Sequence, residues 1–443
     1  MVVLRSRAGQ AAACRAMTWR GAFAVTTALA AAACPVLATA AAVTAQGIGA
    51  LARAAERPVL RAIDVLPAWT ASKGKGVLVA VLDTGIDPSA PDLLGSVTRG
   101  PDYTKGANPP GYQPPHLHGT YIGSLIAGHG SGPGRGEGII GVAPESRILS
   151  VRVILDDSEP GFAVYNTNAS YYDALANGIR YAVRHGAAVI NMSLGSPLAT
   201  RNLRQAVIYA ISHGVVVVAA AGNNGAAHGR FTRYGYPASF TGVISVAAVT
   251  MTGRRAPFSD RNSSVVVSAP GVHVPGDGPA GSYVIGSGTS PAAALVSGVA
   301  ALIKARYPTL PPALVAQAII VSTRRRPPGG YRTNVGFGEI DAAAALGAAA
   351  RLARRPAGRG VDPATHFGGN APGAIPVVHR DYVQGWVLIA LAALGTLGLA
   401  VAVALLGREV RRRVKAARLP APSGPFPDTQ ELKADLSDGH SHS

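Results

Sequence analysis

The sequence predicts an α/β domain built on a parallel twisted sheet flanked by helices, followed by one C-terminal transmembrane helix. Three observations predict it. Between residues 58 and 350 short β-branched runs alternate with longer helical patterns, the signature of strands joined by crossover helices. Each candidate strand is nearly all apolar, as a strand covered on both faces must be. Residues 386–406 form a run of 21 residues without a charge, long enough to cross a bilayer as a helix.

The candidate strands are 77–82, 148–153, 189–192, 215–221 and 243–249, and the candidate helices are 119–127, 171–185, 203–213, 291–306 and 312–322. The stretch 100–138, rich in Gly and Pro, reads as surface loops interrupted by one helix. Before this domain, residues 1–45 read as an export signal. Arg5, Arg7, Arg15 and Arg20 precede an Ala-rich run over 21–43 that holds Ala-x-Ala sites such as Ala38-Thr39-Ala40. Residues 46–57 are then a short N-terminal extension. After the domain, residues 351–385, with Arg351, Arg354, Arg355 and several Gly and Pro, form a spacer. The transmembrane run 386–406 follows, and the tail 407–443 is Pro-rich and ends in acidic, Ser- and His-containing sequence expected to be disordered.

A formal charge of +18 invites a nucleic-acid reading, so its placement matters. The basic residues before the first apolar run contribute +4, and Arg408, Arg411, Arg412, Arg413, Lys415 and Arg418 against Glu409 contribute +5 after the last. Half the excess therefore flanks apolar segments, which suits membrane topology and not nucleic-acid binding. The positive-inside rule puts residues 407–443 in the cytoplasm and the domain between the apolar segments outside it. Both cysteines, Cys14 and Cys34, lie in the export segment, so a chain processed near residues 40–45 holds no cysteine and no disulfide.

Four segments carry chemistry. Asp83-Thr84-Gly85 follows the first strand, at the carboxyl end where open α/β sheets assemble their sites. His118-Gly119-Thr120 opens a helical stretch, a place from which a short segment can aim an imidazole back across the sheet, whereas the nearby His116 lacks the Gly-Thr pair. Gly288-Thr289-Ser290-Pro291-Ala292-Ala293 feeds Ser290 into a helix start, where free N–H groups and the positive dipole end lie near the hydroxyl. Gly222-Asn223-Asn224-Gly225 puts Asn223 on a glycine-flanked turn after a strand, from which its amide can reach a reacting carbonyl. A turn residue or an N-cap would explain each alone, but not the four together.

In the order Asp, His, Asn, Ser these segments resemble those of the subtilisin-like serine proteases, whose triad order is an established example. The resemblance runs over about residues 59–346 and includes Ala68-Trp69, Gly74-Lys75-Gly76-Val77, Asn191-Met192-Ser193-Leu194-Gly195 and Ala269-Pro270-Gly271. It implies a serine endopeptidase in which Ser290 is the nucleophile, His118 the general base and Asp83 the residue that fixes the imidazole tautomer. Asn223 would share the oxyanion hole with the backbone N–H of Ser290. Ser193, Leu194 and Gly195 would pair with an extended substrate and, with Ala220 and Ala221, line the pocket for the side chain before the cut. Those five carry no charge, which argues against a strong Lys or Arg preference unless loop carboxylates intervene.

The order of export signal, protease domain, basic spacer, single anchor and basic tail looks like that of the mycosins, membrane-bound subtilases of type VII secretion systems. This chain departs from them in lacking protease-domain cysteines, and only about 15 to 20 residues separate the expected cleavage region from the first family-like residues. The implied partners are polypeptide substrates, the membrane and secretion-complex proteins, and not nucleic acid. No cofactor and no metal-ligating residues are expected; no Asp-rich loop stands out with a clear calcium spacing, and the sequence leaves structural calcium open. A structural scaffold of a secretion complex, in which proteolysis is secondary, is the competing function.

Overall fold

A computed structural model describes residues 2–4, 34–226, 232–354 and 383–416. The basic start and most of the apolar run of the export segment, with Cys14, lie outside the described residues, as do most of the spacer and the tail beyond residue 416. The chain divides into two units, Met1–Gly358 and Arg359–Ser443.

The first unit is organised by a seven-stranded sheet of β1 (Leu78–Asp83), β2 (Val97–Asp102), β3 (Arg147–Arg152), β4 (Val189–Met192), β5 (Val216–Ala220), β6 (Ile244–Val249) and β7 (Val267–Pro270). In space the order is β7-β6-β5-β4-β1-β3-β2, with every neighbouring pair parallel. The five predicted strands are all present, displaced by one residue at most at each end. The two that periodicity missed are the edges. β2, with Arg99 and Pro101, is only partly buried, and β7 is a four-residue strand ending in Pro.

Alternation along each strand sends side chains to two separate cores. Val79 and Val81 of β1 join Val189, Val216, Val218 and Val246 on one face, while Ala80 and Leu82 join Leu149, Val151, Ile190 and Val217 on the other. The longer helices are α1 (Cys34–Ala62), α2 (Leu117–Ala127), α3 (Ala174–Arg184), α4 (Arg201–Ser212), α5 (Thr289–Arg306), α6 (Pro312–Val321) and α7 (Ala342–Ala353). Helices α2, α5, α6 and α7 cover the first face, and α3 and α4 the second. Helix α5 is buried along most of its length, consistent with its nearly unbroken apolar sequence.

Two of these longer helices lie where no helix is expected from the sequence. Helix α7 is Ala-rich and capped by Asp341, whose side chain accepts the Ala344 N–H at 2.8 Å. Helix α1 spans residues read as the end of the export signal, the short extension and the start of the domain. From Ala52 onward it packs through Ala52, Arg53, Glu56, Val59 and Leu60, a spacing that lines one face of a helix. Arg53 Nη2 donates to the carbonyl of Glu137 at 2.7 Å, and Glu56 accepts the Ile140 N–H at 2.8 Å, so both side chains are tied to the hairpin His129–Ser131/Glu137–Ile140. Burial pushes the Glu56 carboxyl well above the usual range.

The second unit is the helix α8 (Val383–Ala416), which contains the uncharged run 386–406. Residues Ile389–Lys415 are long and apolar enough to be a candidate membrane span, and none of that window is buried.

The start of α2 sets how closely the predicted His-Gly-Thr segment approaches β1. A Cβ added at Gly119 would overlap the carbonyl oxygen of Gly85, a backbone atom that cannot swing away. Gly119→Ala is expected to destabilise the domain by about 1–3 kcal/mol through this overlap. Thermal unfolding of the purified domain checks it, and an unchanged midpoint would show that α2 can shift freely.

Candidate active site

The sheet, not the sequence, brings the four segments together. Asp83 ends β1, Ser193 follows its neighbour β4, and Asn223 follows the next strand, β5. His118 enters from the first turn of α2 and Ser290 from the first turn of α5. Helix α5 begins at Thr289, two residues before the predicted start. Pro291 therefore sits within the first turn, where its missing N–H costs no intrahelical bond.

Asp83 is fully buried. Its Oδ1 accepts from His118 Nδ1 at 2.7 Å and from the Thr84 N–H at 2.8 Å, and among the described residues its Oδ2 has no hydrogen-bond partner. Because a carboxylate only accepts, the proton lies on Nδ1 and the Nε2 lone pair is left free. Burial alone would pull the His118 pKa down, but the charge and hydrogen bond of Asp83 outweigh it, and the net displacement is upward. Thr84 Oγ1 accepts the Gly119 N–H at 3.1 Å and ties the two segments together. His116 is turned away, its Nδ1 donating to the Thr84 carbonyl at 2.7 Å.

Ser290 Oγ donates to the Ser193 carbonyl at 3.2 Å, while Ser193 Oγ donates back to the Ser290 carbonyl at 3.0 Å. A buried chain supports this exchange. Ser297 Oγ donates to Asn191 Oδ1 at 2.9 Å, and Asn191 Nδ2 donates to Ser193 Oγ at 3.1 Å. Asn223 Oδ1 accepts both the Thr289 N–H at 2.9 Å and the Thr289 hydroxyl at 3.0 Å. With that oxygen held, the remaining donor of the side chain is Nδ2.

Two clefts meet along Ser193, Leu194 and Gly195. One, of about 460 Å³, is walled by Ala220, Ala221, Asn223 and Ser290, and its rim includes two charged residues, Arg233 and Asp260. The five predicted lining residues are uncharged, but the cleft as a whole is not. The other, of about 610 Å³, holds His118, Leu155, Asp156, Phe162, Tyr165 and Leu194. Sequence reasoning missed Asp156. It lies just past the end of β3, the next strand after β1, and the strand-end rule that found Asp83 could have found it. Burial, together with the charge of Asp83, pushes its carboxyl up to about 6, and its negative charge in turn helps to raise His118. Among the described residues no group of three or more His, Cys, Asp or Glu side chains could hold a metal ion.

Residues 74–338 match the Subtilase family, peptidase S8. Subtilisin from Bacillus pumilus is 40% identical over 236 residues, which are 53% of this chain and 79% of that protein. Among solved structures, MycP1 with its N-terminal propeptide removed is 29% identical, covering 65% of this chain and 97% of its own, with a TM-score of 0.55. The MycP3 protease from the type VII (ESX-3) secretion system is 31% identical over 65% of this chain and 87% of its own, with a TM-score of 0.53.

The Asp83–His118 contact has a direct spectroscopic consequence. Asp83→Asn removes the charge that holds the imidazole pKa up while burial continues to pull it down, so His118 should titrate at lower pH than in the native protein. An NMR titration of the His118 ring reads this. A pKa that stays put would show that another group sets it.

Proposed function

The chain belongs to the subtilase family of serine proteases, and from that premise we propose that it is a membrane-anchored endopeptidase acting on exported polypeptides in a type VII secretion system. Asp83, His118 and Ser290 form its triad in this reading. The observation that carries it is the 2.7 Å bond from His118 Nδ1 to Asp83 Oδ1, with His118 lining one cleft and Ser290 and Asn223 the other, the two sharing Ser193, Leu194 and Gly195.

On this mechanism the Ser290 hydroxyl swings from the Ser193 carbonyl toward His118 Nε2, passes its proton there and attacks the scissile carbonyl carbon. The carbonyl oxygen gains the electron pair and is met by Asn223 Nδ2 and the backbone N–H of Ser290. Collapse of the tetrahedral intermediate breaks the C–N bond. The leaving amine takes the proton from His118, and water then hydrolyses the acyl-enzyme by the same path in reverse. Asp83 keeps the imidazole oriented and stabilises the imidazolium. Ser193, Leu194 and Gly195 would pair with the substrate backbone as an added strand, with Ala220 and Ala221 under the side chain before the cut. Since His118 must be neutral to accept a proton, turnover falls as pH drops through its raised pKa.

The place of the reaction follows from the candidate span and the basic residues after it. Residues 386–406 would anchor the protein, residues 407–443 would lie in the cytoplasm, and the protease domain would lie outside it. The likeness to MycP1 and MycP3 supports the secretion-system setting.

Ser290→Ala is the test of chemistry. It removes one oxygen at the edge of α5, so fold and anchor should persist while peptide hydrolysis drops to the residual level that binding and the oxyanion hole supply. Hydrolysis surviving in the purified variant would sink the assignment. If the protein is chiefly a scaffold, cells carrying Ser290→Ala should still export what this system secretes, and cells lacking the gene should not.

Topology is tested separately. An epitope fused after Ser443 should resist protease added to intact cells, and its loss from sealed cells would overturn the orientation.

A further inference from the structure

Resting on the reading of Asn223 as oxyanion donor, we propose that Asp260 is a positioning residue for the reaction, holding the turn that aims Asn223 across the cleft from Ser290. The turn cannot hold itself. Asn223 and Asn224 are exposed and stand between Gly222 and Gly225, and glycine on both sides leaves the backbone many conformations. Restraint must therefore come from outside the turn.

Thr289 supplies part of it, holding Asn223 Oδ1 and accepting the Gly222 N–H at 3.1 Å, and the segment Phe258-Ser259-Asp260 supplies the rest. The Asp260 N–H donates to the Gly222 carbonyl at 2.9 Å, Asp260 Oδ1 accepts the Asn224 N–H at 2.7 Å, and the Gly225 N–H donates to the Phe258 carbonyl at 2.7 Å. The residues on both sides of Asn223, and the one after, are thus each pinned. The segment is itself fixed to the sheet. Ser259 is buried, and its Oγ accepts the N–H of Ala248, in β6, at 3.0 Å. Asp260 is almost wholly buried.

Packing confirms how tightly the carboxylate is fitted. Gly222 has φ +115, and a Cβ added there would overlap Asp260 Oδ2. One carboxylate oxygen takes a backbone N–H of the turn, and the other fills the space a Cβ on Gly222 would need. That geometry makes Asp260 part of the wall and not a group presented to a substrate side chain, even though it borders the cleft beside Ser290. An ionised acceptor suits the task, because a charge-assisted bond to Asn224 is stronger than a neutral one.

The experiment is a double-mutant cycle on the purified full-length protein with a peptide substrate. Asp260→Ala should lower kcat by roughly 10- to 100-fold with KM changed by less than about threefold, since the loss falls on the transition state. Asp260→Asn, which keeps an acceptor for the Asn224 N–H, should recover most of that loss. In an Asn223→Ala background Asp260→Ala should cost less than about threefold more, because the group it positions is already gone.

Asn223→Ala alone reports on the underlying reading, and unchanged turnover there would sink that reading and the proposal together. If Asn223→Ala is costly but Asp260→Ala costs as much in its background as in the native chain, the proposal alone fails. It fails equally if Asp260→Ala alters selectivity between Lys and Leu before the cut and leaves kcat intact. Asp260→Ser, whose hydroxyl stops short of the Asn224 amide, is the second truncation should the alanine variant not fold.

Discussion

The lateral hydrogen bonding of β5, β4, β1 and β3 is the constraint on which the rest of the site depends. Neighbouring strands lie about 4.8 Å apart, and all four end at the same edge of a parallel sheet. The residues that follow them, Asn223, Ser193, Asp83 and Asp156, therefore form a row whose spacing the backbone sets before any side chain is chosen. A row of roughly 14 Å, three strand spacings, is long enough to meet several residues of an extended chain. Helices α2 and α5 then need only deliver His118 and Ser290 to fixed places above it. Gly119 lets α2 come close enough to Gly85 for His118 to reach Asp83.

Within that row the strong electrostatics are local. Asp83 sits out of water with the imidazole and one backbone N–H as its donors, and leaving a buried carboxylate unpaired would cost several kcal/mol. The pair is thus held together by the penalty for separating it more than by the attraction itself. Asp156 adds negative charge beside the same imidazole. Burial, and next the charge of Asp83, push the Asp156 carboxyl up to about 6.

What the sequence revealed follows from which interactions are local. Strands covered on both faces are unbroken apolar runs, so β1, β3, β4, β5 and β6 were legible, and the candidate site residues were legible because each sits at the end of such a run or at the start of a helix. The edge strand β2 was not, since its exposed Arg99 and Pro101 read as loop. Nor was the packing of α1. Arg53 and Glu56 look like a solvated face, and only the distant hairpin carbonyls and N–H groups that satisfy them explain their burial. Asp260 was invisible for the same reason, since Asn224, whose N–H it accepts, is 36 residues away in the chain. Contacts closed by tertiary structure leave no periodic trace.

The position of the Ser290 hydroxyl shows how such a site can stay ordered while idle. Among the described residues its hydrogen-bond acceptor is the Ser193 carbonyl and not His118, although the base is already oriented by Asp83. Rotating the hydroxyl to the imidazole exchanges one neutral hydrogen bond for another, and a net bond of that kind is worth about 1 kcal/mol. General-base assistance contributes 10²- to 10⁴-fold, and a single oxyanion donor about 2.7 to 4 kcal/mol, so the proposed mechanism loses little by starting from this rotamer. The elements that cannot rotate cheaply are the turn bearing Asn223 and the Asp83–His118 pair, and those are the ones the fold has fastened. In the proposed mechanism, rigidity is thus placed where charge would develop, and freedom is left at the one bond that would turn.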